Sequence, residues 1–328
     1  MSGLPIIDLA AFERGDRNER GRIAAAVDAA CRDIGFLLVA GHGVPNDAIR
    51  GIHDVSADFF ARPLAYKRTL EVAANHDLGW KGQGASYLAE TLTPDQAGPK
   101  AGDWKESFGM GPVSAPADLS AQERTYFAAN VFPDSPHGFG AAYRGYYGHM
   151  EHVAAAILRI FAISLDLRTD FFDDKTDRHT SVLAAHHYPA QLTAPAPGQI
   201  RAGAHTDFGA ITILHTGDNP GGLQIQDKAG VWQDVVPTQD LFVVNIGDLM
   251  AQWTNDRWVS TLHRVVNPPA ARAHMARQSV TFFHQPNCHA AIACLPTCAG
   301  PGNPARYQPV SAGDHLSMKL ARLRGLAA

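Results

Sequence analysis

The stretch from His205 to Leu214 reads His-Thr-Asp-Phe-Gly-Ala-Ile-Thr-Ile-Leu, and it joins a possible metal-binding motif directly to an apolar, β-rich run. Similar short runs, broken by turn residues, continue over the region from about Ser181 to about His284. They include residues 210–214, 223–225, 241–245 and 279–283. Many short strands at close spacing predict a sandwich or barrel of the jelly-roll type.

His205 and Asp207 lie two residues apart in a segment that we expect to be extended. Side chains at positions i and i+2 of an extended chain point to the same face, so both could reach one metal ion. His263, in the run from Ser260 to Val265, is the candidate third ligand from a distant strand. Two imidazoles and one carboxylate leave three positions open on an octahedral ion, as in non-haem Fe(II) oxygenases. The sequence therefore predicts an iron site formed by these three residues.

A competing motif has to be weighed, because the chain contains 16 histidines and a His-x-acid pair can arise by chance. His149-Met150-Glu151 has the same form but lies in a segment with helical periodicity. Residues i and i+2 diverge on a helix, so we expect no shared metal ion there.

The chain before Ser181 combines helical segments with a few short strands. The apolar pattern predicts strands at residues 5–9 and 35–39, helices at 18–33 and 46–60, and a buried helix at 141–167. The irregular stretch 76–140 is expected to form surface loops or part of a binding site. We expect one compact unit with a helical N-terminal region (1–175), a β core (176–290) and a C-terminal tail (291–328). The predicted fold class is thus mixed α and β.

Bulk properties exclude several other classes of protein. The formal net charge is −4 and no long basic run is present, so nucleic-acid binding has no electrostatic support. The start of the chain lacks the pattern of a signal peptide, and no apolar stretch is long enough to span a bilayer. Four cysteines in 328 residues do not form a disulfide framework. These features favour a cytoplasmic protein with no nucleic-acid or membrane partner.

An ordered series of motifs along nearly the whole chain resembles the isopenicillin N synthase-like branch of the Fe(II)/2-oxoglutarate dioxygenases. The series comprises Pro5-Ile6-Ile7-Asp8, Gly35-Phe36, Gly41-His42-Gly43-Val44-Pro45, Phe59-Phe60, Lys105-Glu106-Ser107-Phe108, Tyr188-Pro189, His205-Thr206-Asp207-Phe208-Gly209, Gly221-Gly222-Leu223-Gln224, Asn245-Ile246-Gly247-Asp248, His263-Arg264-Val265, Arg277-Gln278-Ser279 and Gly313-Asp314-His315-Leu316. Chance is a poor explanation for this order and spacing. The resemblance implies a distorted double-stranded β-helix, or jelly roll, with a helical N-terminal region packed against it.

The resemblance also implies a set of binding residues beyond the iron ligands. Arg277 matches the arginine that holds the distal carboxylate of 2-oxoglutarate, for which a planar guanidinium is well suited. Ser279, two residues further along the same strand, can add a hydroxyl, and Tyr188 matches a tyrosine that bonds the same carboxylate. The implied cofactors are Fe(II), 2-oxoglutarate as cosubstrate and O2.

The implied activity is oxidation of a small molecule with release of succinate and CO2, most simply hydroxylation, with desaturation or ring closure as alternatives. Trp80, Phe108 and Phe283 are expected as apolar walls of the substrate pocket, which the segment 79–111 and the loops from 284 to 303 should frame.

Two alternatives to this activity stay open. One is an iron oxidase resembling isopenicillin N synthase that consumes no 2-oxoglutarate, and the other is a binding protein without catalysis. The chain departs from many relatives at His186-His187, where they carry Asn-Tyr.

Overall fold

The computed structural model describes residues 3–72, 77–86, 88, 102–121, 123–218 and 221–323. The helices are α1 (Leu9–Arg14), α2 (Arg17–Asp33), α3 (Asn46–Phe60), α4 (Leu64–Arg68), α5 (Phe139–Ser164), α6 (Asp173–Thr176), α7 (Asp248–Trp253) and α8 (Ala312–Leu323). The strands are β1 (Ile6–Asp8), β2 (Phe36–Ala40), β3 (Gly79–Lys81), β4 (Glu106–Met110), β5 (Val182–Tyr188), β6 (Ala202–His205), β7 (Ile211–His215), β8 (Leu223–Gln226), β9 (Trp232–Asp234), β10 (Phe242–Ile246), β11 (His263–Val265), β12 (Arg277–His284), β13 (Ala291–Ile292) and β14 (Val310–Ser311).

Two facing sheets form the centre of the protein. The larger sheet has eight strands in the order β1-β2-β10-β7-β12-β5-β4-β3, and the smaller has four in the order β6-β11-β8-β9. Apart from the parallel pair β1–β2, the neighbours in these sheets run antiparallel. This confirms the predicted mixed α and β fold with a jelly-roll core.

Alternation along the strands gives the larger sheet two different faces. One face packs on helices α2, α3 and α5, which form the largest apolar cluster together with it. The opposite face looks toward the smaller sheet, where a second apolar cluster includes Phe36, Val243, Ile225 and Val265. The functional residues discussed below lie on this second, inner face.

The helical layer begins with a well-capped helix. The Asp16 carboxylate accepts hydrogen bonds from the backbone N–H groups of Asn18 and Glu19, both at 2.9 Å, at the start of α2. Such a cap typically contributes about 1 kcal/mol. Ser56 of α3 lies 2.9 Å from the hydroxyl of Tyr143 in α5, and both residues are fully buried. The layer is therefore held by polar as well as apolar contacts.

The predicted elements agree with these bounds. The helix predicted at 46–60 is α3, and the buried helix predicted at 141–167 is α5, which begins two residues earlier and ends three residues earlier. Strands β1 to β4 come from the region before Ser181 but belong to the same sheet as β5, β7, β10 and β12. The division at residues 175 and 290 stays a prediction.

Within the described ranges, no helix combines the length and the apolar character that crossing a membrane requires.

Candidate metal and cosubstrate site

Three side chains that can ligate a metal converge at one end of the inner face. His205 is the last residue of β6, and His263 is the first of β11 and its register partner. Asp207 follows in the turn after β6, so the extended segment that we expected at 205–207 ends at its first residue. The ligand atoms of the three residues all lie within 4.8 Å of one another. Asp207 Oδ1 is 3.8 Å from His205 Nε2 and 3.7 Å from His263 Nε2.

Hydrogen bonds to the remaining polar atoms of these residues fix which atoms face the centre. Nδ1 of His205 lies 2.7 Å from the carbonyl oxygen of Gly203, and Nδ1 of His263 lies 3.1 Å from that of Thr261. A carbonyl oxygen only accepts, so Nδ1 carries a proton in both rings and Nε2 is the nitrogen left to face a metal. Such outer contacts commonly orient metal-binding histidines.

The carboxylate of Asp207 is oriented in the same way. Asn245 Nδ2 donates to Asp207 Oδ2 at 2.7 Å, which leaves Oδ1 directed at the two imidazoles. The loop that carries Asp207 packs closely against the start of α7. A Cβ atom on Gly247 would lie only 2.1 Å from the carbonyl oxygen of Gly209. Glycine is therefore required at position 247 for this close approach.

Electrostatics prepare the cluster for a cation. Burial, followed by repulsion from His263, lowers the pKa of His205, so this imidazole is neutral at physiological pH. Burial opposes ionisation of Asp207, but electrostatic interaction with the two neighbouring imidazoles and the hydrogen bond from Asn245 outweigh it and lower the pKa of the carboxyl group. Two imidazole nitrogens and one carboxylate oxygen match the ligand preferences of Fe(II).

The cluster opens into a cavity of about 560 Å³ between the sheets. Alternate residues of β5 and β12 line it, as expected for one face of a strand. These residues are Val182, Ala184, His186, Tyr188, Arg277, Ser279, Thr281 and Phe283. The structure thus brings every predicted iron and 2-oxoglutarate residue to one cavity.

Arg277 is a buried cation in this cavity, with 2% of its surface exposed. Its Nε donates to the carbonyl oxygen of Gly221 at 3.1 Å, and its Nη1 donates to Ser279 Oγ at 3.2 Å. The guanidinium carbon lies 4.8 Å from the centre of the Tyr188 ring. No aspartate or glutamate in the described ranges forms an ion pair with it. Burial lowers the pKa of Arg277, and an unpaired buried charge is costly, so the site fits an anionic ligand.

The two histidines at the departure from the family pattern face opposite ways. His186 lines the cavity, and its buried Nδ1 has no hydrogen-bond partner in the described structure. His187 points to the helical layer, where its Nδ1 lies 3.0 Å from Glu106 Oε1 and its ring stacks on Phe60.

Glu106 is the centre of a buried polar network on that outer side. Lys67 Nζ and Trp80 Nε1 each donate to Glu106 Oε2 at 2.7 Å. Burial opposes ionisation of Glu106, but the hydrogen bonds from His187, Lys67 and Trp80 outweigh it and lower the pKa of the carboxyl group. The network holds β4 in place behind the cavity.

The predicted pocket walls are correct in two of three cases. Phe283 lines the cavity, and so does Trp80, although its indole Nε1 donates to Glu106 on the outer side of the sheet. Phe108 is fully buried among Phe59, Phe139 and Tyr143. The prediction for Phe108 was wrong, because alternation along β4 turns Ser107 and Gly109 inward instead. Of the predicted framing segment 79–111, residues 87 and 89–101 lie outside the described residues; from the loops at 284–303, Gln285 reaches the cavity.

Two other groups could be mistaken for metal sites. His149 lies on α5 and Glu151 of the same helix instead meets His179 at 3.0 Å, so the helical motif forms no cluster. Glu123, Cys288 and His289 do lie close together. The guanidinium of Arg178 is 3.1 Å from Glu123 Oε1, however, which disfavours a second cation there.

Sequence reasoning missed two residues of the site. Asn245, which orients Asp207, belongs to a quoted motif, but its role depends on the pairing of β10 with β7. Lys105 was noted only as part of the motif Lys105-Glu106-Ser107-Phe108, although its side chain lines the cavity.

Comparison with family models gives two matches that together span most of the chain. Residues 4–135 match the N-terminal region of the non-haem dioxygenases, described as "non-haem dioxygenase in morphine synthesis N-terminal". Residues 179–286, which include all six predicted binding residues, match the 2OG-Fe(II) oxygenase superfamily.

Individual relatives agree with the family models. The chain is 32% identical to validamycin A dioxygenase from Streptomyces hygroscopicus subsp. limoneus, over 97% of this chain and 86% of the relative. It is 30% identical to a 2-oxoglutarate-Fe(II) type oxidoreductase from Emericella nidulans, over 94% and 87%.

Solved structures show the same architecture over the full length. A full-length Neurospora crassa protein, crystallised in complex with alpha-KG, is similar with a TM-score of 0.83 and 28% identity, covering 97% of this chain and 95% of that one. A 2OG-Fe(II) oxygenase family protein from Caulobacter crescentus is similar with a TM-score of 0.84 and 29% identity, covering 100% of both chains.

Proposed function

The chain belongs to the 2OG-Fe(II) oxygenase superfamily, and from this premise we propose that His205, Asp207 and His263 hold its iron while Arg277, Ser279 and Tyr188 hold 2-oxoglutarate. The protein is an Fe(II)- and 2-oxoglutarate-dependent oxygenase of a small molecule. What the proposal adds is the assignment of roles to individual residues.

A single observation carries this assignment. The buried guanidinium of Arg277, without a carboxylate partner among the described residues, opens into the same cavity as a cluster of two imidazoles and one carboxylate. A dianion with one end at the metal and the other at the arginine satisfies both. When bound, iron and 2-oxoglutarate supply the oxidising chemistry, with O2 as the oxidant and succinate and CO2 as products.

The residues of this chain then bind and orient. Arg277 and Ser279 lie on one strand and Tyr188 on its neighbour, as the register partner of Arg277, so the three can hold one carboxylate from three directions. The walls formed by Trp80 and Phe283 limit access of water to the reacting centre. We expect hydroxylation as the outcome, and desaturation or ring closure if the substrate presents a second hydrogen atom at the same distance.

Two finer assignments belong to this proposal. We assign the chain to the isopenicillin N synthase-like branch on the order of its motifs, and a cytoplasmic location stays a prediction from its sequence. Substrate identity does not transfer, because the relatives are unlike one another: one is named for validamycin A and one structure contains thymine.

The test is oxygen uptake by the iron-loaded protein with and without 2-oxoglutarate, over a panel of small metabolites, with succinate measured in parallel. We expect uptake to depend on both iron and 2-oxoglutarate and succinate to match the 2-oxoglutarate consumed. If a substrate turns over with no need for 2-oxoglutarate, Arg277 is a substrate-binding residue of an oxidase instead.

A further inference from the structure

Lys105 is a cation in the cavity that forms an ion pair with Asp103 but donates no hydrogen bond within the described ranges. Its side chain is 11% exposed, and the nearest acidic atom, Asp103 Oδ2, is 3.8 Å from Nζ. An ammonium group carries three donors, yet in the described structure no acceptor lies within hydrogen-bond distance of this one. A confined polar group without hydrogen bonds is costly unless a ligand or water supplies them.

Asp103 balances the charge of Lys105 without occupying its donors. Asp103 Oδ1 accepts a hydrogen bond from the backbone N–H of Gly203 at 2.9 Å, and the residue is buried. This bond fixes the carboxylate against β6, the strand that ends at His205. The Asp103–Lys105 pair therefore lies beside the strand that carries the first residue of the metal-binding cluster.

The other two cationic side chains that line the cavity have partners or a proposed role. Lys81 forms an ion pair with Asp77. Arg277 is assigned above to 2-oxoglutarate. Among the cations that line the cavity within the described ranges, Lys105 is thus the one left to bind the primary substrate.

A neutral donor lies next to Lys105. His186 faces the same cavity with Nδ1 unbonded, and it is the register partner of Ser107, two residues after Lys105. Burial, followed by the charges of Lys105 and Arg277, keeps the pKa of His186 well below its usual value, so the ring is neutral. An ammonium beside a neutral imidazole is a good binding site for a carboxylate, which accepts from both.

We propose that Lys105, with His186 beside it, binds a carboxylate of the primary substrate, so that the enzyme oxidises a small organic acid. The inference rests on the proposed function, because it assigns Arg277 to 2-oxoglutarate and leaves Lys105 for the substrate. It concerns binding, and Lys105 takes no part in the oxidation step.

The experiment compares acids with amides of the same shape. The probes are propionate and propionamide, benzoate and benzamide, and indole-3-acetate and indole-3-acetamide. Each is titrated anaerobically into the Fe(II) complex at saturating 2-oxoglutarate, and binding is followed by the shift of the visible charge-transfer band of the chelated iron. We expect at least one acid to bind about 10- to 100-fold more tightly than its amide, the usual value of a hydrogen bond to a charged group.

Two lysine variants identify the residue responsible. Lys105→Met should remove the preference for the acid and leave the 2-oxoglutarate band and its apparent Kd unchanged. Lys81→Met is the matched control, because that lysine lines the same cavity but is paired with Asp77, and it should keep the preference. Lys105→Gln serves if the methionine variant does not fold, and it should behave in the same way.

The outcomes separate the two proposals. If the wild type forms no charge-transfer band, the proposed function fails and this inference falls with it. If the band forms but no acid binds more tightly than its amide, or a folded Lys105 variant keeps the preference, the inference alone is overturned. A tenfold or larger loss of 2-oxoglutarate affinity in Lys105→Met would also overturn it, because Lys105 would then belong to the cosubstrate site.

Discussion

The two faces of the β4–β5 pair carry similar polar and charged side chains that differ in their hydrogen bonding. On the outer face, Glu106 and His187 bond to each other, and Lys67 bonds to the same carboxylate. On the inner face, Lys105 and His186 line the cavity, and within the described ranges Lys105 Nζ and His186 Nδ1 form no hydrogen bond. The outer residues bond to one another, whereas these inner atoms have no hydrogen-bond partner among the described residues.

This contrast separates structural from functional polar groups where residue type does not. His186 and His187 are neighbours in sequence and both are partly buried, yet within the described ranges Nδ1 of His187 has a hydrogen-bond partner and Nδ1 of His186 has none. The same reasoning applies to Arg277, which is buried without an acidic partner within the described ranges, and to Asp207, whose Oδ1 faces two imidazoles. We therefore expect substitutions on the inner face to affect ligands and those on the outer face to affect stability.

The largest expected effect is at the iron ligands. His205→Ala, Asp207→Ala or His263→Ala should each abolish turnover and weaken Fe(II) binding, because each removes one of three protein ligands. The measurement is anaerobic Fe(II) titration together with oxygen uptake, in variants whose thermal unfolding matches the wild type. Full turnover in any one folded variant would contradict the assignment.

The next effect is at the cosubstrate. Loss of one partner of a buried charge pair typically costs about 3–5 kcal/mol, so Arg277→Ala should raise the apparent Kd for 2-oxoglutarate by roughly two to three orders of magnitude. Iron affinity should not change. Arg277→Lys should recover only part of the loss, since an ammonium cannot form the planar fork. An unchanged Kd in the alanine variant would remove Arg277 from the site.

A smaller effect, of a different kind, is expected on the outer face. Glu106→Gln leaves Lys67 buried beside a neutral amide and should lower the free energy of unfolding by about 1.5–3 kcal/mol at pH 7, with 2-oxoglutarate affinity per folded molecule unchanged. Urea unfolding and the charge-transfer titration measure the two quantities.

The effect of Glu106→Gln on stability should also depend on pH. The folded state lowers the pKa of Glu106, so the stability that its charge contributes is present above the usual value of 4.5 and is lost as pH falls through the folded pKa. The difference in the free energy of unfolding between wild type and Glu106→Gln should therefore narrow below pH 4.5. If that difference in unfolding free energy did not change with pH, or if Glu106→Gln lost affinity for 2-oxoglutarate, the outer face would not have the purely structural role that we assign to it.

The smallest expected effect is at the helical motif. His149→Ala should leave iron affinity unchanged, because α5 places the pair away from the cluster and Glu151 meets His179. A large loss of iron in this variant would mean that the ligands had been assigned to the wrong motif.

Much of this arrangement was predictable because it depends on local spacing. The helix at 46–60 follows from apolar periodicity. His205 and Asp207 do reach one cluster as predicted, but the strand ends at His205 and the turn after it places Asp207. The ordered motifs then supported His263 as the third ligand and supplied Arg277, Ser279 and Tyr188, which no local rule would have joined.

The rest depends on strand register, which the sequence does not contain. The opposite directions of His186 and His187, and the placement of Phe108 in the core, follow from the pairing of β5 with β4 and β12. The lack of a hydrogen bond from Lys105 within the described ranges could not be predicted either, because it depends on a distance of 3.8 Å to Asp103, two residues away along the chain.

The most direct test of the central claim is an anomalous-diffraction map of crystals grown anaerobically with Fe(II) and 2-oxoglutarate. We predict one iron peak bounded by His205 Nε2, Asp207 Oδ1 and His263 Nε2, with a single 2-oxoglutarate joining that iron to the guanidinium of Arg277. An iron peak beside Glu123, Cys288 and His289, or a 2-oxoglutarate whose free carboxylate lies on Lys105 instead of Arg277, would contradict the account.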